Sequence, residues 1–134
     1  PGARALRGAQ AGRGAAERLS GRDRLANQDR LGGLEAGGAS DPRELRRLDQ
    51  QVHRQIYRAA RNAFLESTLE CYLNLSLRLW YLVVDQEVRL REAVAEHVEL
   101  LRAVLAGEGS RAEDSMRRHV VGFEREIRRV LVEG

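Results

Sequence analysis

His53, His97 and His119 are the three histidines of this 134-residue chain, and each falls on or beside an apolar stripe of a helix-like segment. Asp49 precedes His53 by four residues, so its carboxylate and the imidazole would project side by side from one helical face. Single histidines on two later helices can meet that pair if the helices pack antiparallel. Three imidazoles and one carboxylate form a donor set for a divalent transition metal, with zinc ranked first and nickel, manganese, iron or cobalt as alternatives. Any one of these histidines alone reads better as a polar residue at the core boundary. Together with Asp49 they favour a metal, because a buried imidazole without a partner is costly.

Positioning these side chains requires helices, and the composition supplies them. Hydrophobic residues make up 43% and charged residues 32%, with two prolines and six aromatics, a balance that suits a helical bundle and not a sheet protein. The length fits one domain with a single core. The formal charge of +3 comes entirely from arginine, since there is no lysine, and the 23 arginines are interleaved with 20 acidic residues. That interleaving argues against a nucleic-acid surface on these residues. The lone cysteine, Cys71, lies in an apolar helical run and reads as a small buried hydrophobe in a reducing compartment. No stretch is long and apolar enough for a membrane span and no export signal is visible, so a cytoplasmic location without membrane contact is expected.

Residues 1–41 hold nine of the thirteen glycines and suggest two weaker helices, marked by Leu6 to Leu19 and by Leu25 to Leu34. Beyond them the signals sharpen. Ser40 or Asp41 caps a helix from Pro42 to Ala60 whose stripe is Leu45, Leu48, Val52, Ile56 and Ala59. A helix from Ala63 to Val84, carrying Leu65, Leu69, Tyr72, Leu73, Leu79 and Trp80, is expected to be buried on more than one side. A third, from Gln86 to Ala106, stops at Gly107 and Gly109, and the last begins with Ser110 and Glu113 as a capping box.

Enzyme motifs are missing. There is no HExxH, no glutamate three residues before a histidine, no phosphate-binding glycine loop and no nucleophile elbow. Glu96, beside His97, is a candidate base, although a solvated glutamate is the simpler reading.

The segment LDQQVHRQIYRAARNAFL (48–65) and the segment AEHVELLRAVLAGEGSRAEDSMRRHV (95–120) resemble the FCD domain, the effector-binding C-terminal domain of FadR-subfamily regulators in the GntR superfamily. Residues 48–65 are similar to that family's Asp-x-x-x-His helix and its Ala-x-x-Asn-x-x-Leu junction, with Asn62 at the asparagine. Residues 95–120 are similar to its Glu-His helix, glycine turn and Met-x-x-His helix. The resemblance implies an all-α antiparallel bundle of about six or seven helices, with metal ligands at Asp49, His53, His97 and His119. It implies a metal at the base of a pocket for a small organic acid, with an arginine clamp for which Arg78 is the first candidate and Arg4 the next. It further implies a homodimer whose operator DNA is bound through an N-terminal winged-helix domain absent from this chain, residues 1–134 forming the single effector-binding and dimerisation domain.

The expectation is therefore a metal-dependent sensor of small carboxylates, not an enzyme. Its competitors are a metal-dependent hydrolase on the same scaffold, with Glu96 as base, and a metal-free helical interaction module.

Overall fold

A computed structural model describes residues 2–35, 42–83 and 87–133. Among them are six helices and no strand: α1 (Ala3–Glu17), α2 (Gly21–Glu35), α3 (Pro42–Ala59), α4 (Ala63–Val83), α5 (Glu87–Leu105) and α6 (Gly109–Glu133). The expected caps Ser40 and Asp41, the break at Gly37 and Gly38, and the ends Val84 and Gln86 lie outside the described residues, as do the side chains of Leu45 and Trp80.

The core follows the stripes. Leu48, Val52, Ile56 and Ala59 of α3 meet Leu100, Leu101 and Val104 of α5, with Leu69 and Leu73 of α4 and Ala112 and Met116 of α6 closing the cluster. Helix α1 runs antiparallel to α6 in the most extensive helix pair of the molecule. Its register is shown by Arg13, which donates to Glu113, and by Gly8, which faces Met116 and Val120. The glycines that lower the helix propensity of α1 serve this packing: a Cβ on Gly12 would stand 2.9 Å from the carbonyl oxygen of Ala112. Backbone thus meets backbone at Gly12.

The turns are set by local chemistry. Gly107, at φ +71°, ends α5: its N–H donates to Val104 and that of Glu108 donates to Ala103, a Schellman closure that suits glycine. Helix α6 then starts one residue before the expected Ser110 cap. The proposed capping box does not form; Ser110 Oγ and the Glu113 carboxylate instead accept from Arg13 of α1. At the other corner Asn62 caps α4, its Oδ1 accepting the Leu65 N–H at 3.1 Å. Arg61 just before it holds φ +57° without being glycine. Its guanidinium donates to Ser20 Oγ at 2.8 Å and to Asp23 Oδ2 at 2.9 Å, which ties the α3–α4 corner to the start of α2.

Two expectations for α4 are corrected. Over residues 63–79 the helix has an uncovered face, where Phe64 and Leu75 are exposed, and it packs against α1, α3 and α6 with no helix over that face among the described residues. Cys71 lies on that outer face and is exposed, not a buried hydrophobe.

Candidate metal centre

Helix α3 supplies Asp49 and His53, α5 supplies His97 and α6 supplies His119. The three helices pack so that one potential ligand atom from each of the four residues lies within 4.8 Å of the others. His97 is fully buried and His53 nearly so. The Nε2 atoms of the histidines form an almost equilateral triangle, with His97 3.2 Å from His53, His97 3.1 Å from His119, and His119 3.2 Å from His53. Asp49 Oδ1 stands 3.8 Å from His53 Nε2 and 3.3 Å from His97 Nδ1.

The outward nitrogens are held from behind. His119 Nδ1 lies 3.1 Å from the Glu96 carboxylate, an arrangement that places the proton on Nδ1 and leaves Nε2 as a lone pair. His53 Nδ1 lies 3.3 Å from the Tyr57 hydroxyl, one turn further along α3. Glu96 is thus a partner of His119 while its side chain stays nearly half exposed to solvent. The apolar stripes alone do not flag Tyr57, although its spacing of four from His53 is a usable signal.

These residues fit a metal. A neutral imidazole has one N–H, so three nitrogens at mutual distances of 3.1–3.2 Å cannot all satisfy one another by hydrogen bonds. His97 Nδ1 is buried and has no hydrogen-bond partner despite the nearby Asp49 oxygen. The spacing also suits a common cation: at a metal–nitrogen bond of about 2.1 Å, adjacent ligands stand about 3.0 Å apart in an octahedron and about 3.4 Å in a tetrahedron. The nitrogen-rich set favours a transition ion over calcium or magnesium.

Burial sets the charge state without a cation. It pushes His53 down to about 3, helped by the charges of His119 and Arg54, and holds His97 well below its ordinary value. The same burial raises Asp49 to about 6, opposed by His119 and reinforced by Glu96. A nearby divalent charge reverses this balance and favours the carboxylate.

Asp49, His53 and His119 also line a cavity of about 80 Å³ between α1, α3, α4, α5 and α6. Arg4 of α1 lines it, with its guanidinium 5.4 Å from the centre of the Tyr72 ring. Arg46, one turn before Asp49 on the same face of α3, lines it as well, a position that the sequence pattern does not mark out. Arg78 does not. Helix α4 turns Leu73, Ser76 and Leu77 towards the cavity, and the next residue, rotated by about 100°, carries its side chain out to solvent. Arg78, the expected clamp, is thus exposed and stands outside the lining of this cavity.

The chain matches the family model of the FCD domain over residues 3–122, a span that includes all four candidate ligands. It belongs to that family, whose members are effector-sensing domains of GntR-family transcription regulators. Comparison with curated proteins and with solved structures yields no significant match. Among the described residues no helix is long and apolar enough to cross a membrane.

Proposed function

We propose that this chain is the metal-dependent, small-carboxylate-sensing domain of a bacterial transcription regulator. Asp49, His53, His97 and His119 hold one divalent transition ion, zinc first and nickel, manganese, iron or cobalt as alternatives. The observation that carries the reading is the convergence of three imidazole Nε2 atoms beside a cavity. A bound cation would supply positive charge and open coordination positions for one carboxylate. Glu96 and Tyr57 fix the imidazoles, the helices around the cavity exclude water, and Arg4 and Arg46 add positive charge at its wall.

In this reading the domain binds its acid without turning it over. Regulation follows from differential affinity of the acid for two arrangements of the helices. Two copies pair as a cytoplasmic homodimer, and operator DNA is contacted through winged-helix domains N-terminal to this one, an isologous pair matching a two-fold operator.

The test is elemental analysis of the chain, before and after zinc loading, paired with thermal-shift titration of small mono-, di- and tricarboxylates with and without chelator. About one metal per chain and a carboxylate shift that chelator abolishes are expected. Failure to take up metal, or a carboxylate shift indifferent to chelator, would overturn the proposal.

A further inference from the structure

The cavity beside the metal ligands carries information about the acid itself. Besides Asp49, His53 and His119 it is lined by Leu69, Leu73 and Leu77 of α4, Ala93 of α5, and Val120 and Phe123 of α6, with Ser76, Tyr57 and Tyr72 also among the lining residues. Very little nitrogen or oxygen surface opens into it, so Arg4 and Arg46 line it chiefly with their methylene stems, as long cationic side chains commonly do. The guanidinium of Arg4 is engaged over the Tyr72 ring. Carbon thus makes up nearly all of the surface that the cavity presents.

Resting on the sensor reading above, we infer that the effector is a short-chain aliphatic monocarboxylate, its carboxylate on the Asp49–His53–His119 side and its hydrocarbon body against Leu73, Leu77, Val120 and Phe123. A second carboxylate, a sugar hydroxyl or a phosphate would meet a lining that presents little nitrogen or oxygen to replace its water, and burying it there is costly. Size points the same way. A cavity of about 150 Å³ admits benzene, and the present one, at about 80 Å³, takes roughly half of that body. With the carboxylate held at the metal side, a hydrocarbon body of about two to four carbons fills it.

The test uses the metal-loaded chain and calorimetric titration with acetate, propionate, butyrate, valerate, octanoate and succinate. Affinity is expected to rise about fourfold per methylene from acetate to butyrate, the fold-change that corresponds to ~0.8 kcal/mol per buried CH₂, and to fall again by octanoate. Succinate, with butyrate's chain length and a second carboxylate, should bind at least tenfold more weakly than butyrate. Leu77→Ala, and Val120→Ala as a second variant should the first fold poorly, are expected to move the best chain length up by one or two carbons at unchanged metal content.

Succinate binding as tightly as butyrate, no dependence on chain length, or an unmoved optimum in a folded variant would overturn the inference while leaving the sensor reading intact. Binding of no carboxylate by the metal-loaded chain would remove both.

Discussion

Two buried polar clusters of this bundle are built on opposite principles. At the α2 corner, Asp23 and Ser20 accept from Arg61, the Asp23 N–H is taken up by Ser20 Oγ, and Asn27 Nδ2 donates to the Asp23 carbonyl. Donors there meet acceptors, opposite charges meet each other, and Asn27 Oδ1 is the one buried side-chain atom left over. At the α3–α5–α6 corner, three like nitrogens face one another and the carboxylate beside them is pushed towards its neutral form. The α2 cluster pairs its charges and all but one of its buried polar atoms, and it secures the fold. The histidine cluster is complete only with a guest, and that contrast marks it as the functional one.

The comparison is broken most directly by His97→Ala. A four-ligand structural zinc site is worth ~10–16 kcal/mol in all, so losing one ligand should weaken metal binding by about two orders of magnitude. The loss is read by competition with a chromogenic chelator, and chelator should lower the melting temperature of the parent chain by more than that of the variant. Retention of full affinity would remove His97 from the ligand set.

Asp23→Ala should give the mirror image. It leaves Arg61 without its carboxylate and is expected to cost about 1–3 kcal/mol in urea unfolding, with metal content unchanged. A variant of unaltered stability, or one that loses metal, would collapse the distinction between the two corners.

Acid titration of the metal-free chain sharpens it further. His53, held at about 3, and His97 take up protons more readily in the unfolded chain, so each removes stability as the pH falls below about 6.5. Asp49 acts in the opposite sense: raised from 3.8 to about 6, it adds stability at low pH that is lost as the pH rises through 6. Two histidines outweigh one aspartate, and between pH 6 and 4 unfolding should take up about one net proton. The urea midpoint in chelator should therefore fall with pH in that window. A flat or rising midpoint would show that these imidazoles are not buried neutral.

The smallest effect belongs to Glu96, whose side chain is nearly half exposed. Glu96→Ala should weaken metal binding about tenfold, the lower end for a residue that orients a ligand, and Glu96→Gln should recover part of it by accepting from the same Nδ1–H. Equal affinity in all three forms would leave His119 oriented by its packing alone.

Much of this site is legible in the sequence, because it lies on the strongly patterned helices. The stripe of α3 carries Leu48, Val52 and Ile56 into the core, and that phase brings Asp49 and His53 to its edge without knowledge of the fold. The stripes of α5 and α6 do the same for His97 and His119. Legibility fails where a side chain's role depends on which neighbour happens to lie opposite. Arg78 and Leu77 are adjacent in sequence, yet only Leu77 lines the cavity. Cys71 sits among leucines on a helix whose outer face has no cover among the described residues. Ser110 and Glu113 match a capping motif but are claimed by Arg13 from another helix. The glycines of α1 read as weakness until their close partner on α6 is known.

That close partner has a mechanical consequence. Side chains that can change rotamer act as soft springs between helices and absorb small displacements. At Gly12 no such spring stands between α1 and the Ala112 carbonyl, and the interior is too dense to yield instead. At that point a displacement of one helix has little to absorb it, and α1, which carries Arg4, and α6, which carries His119, supply two walls of one cavity.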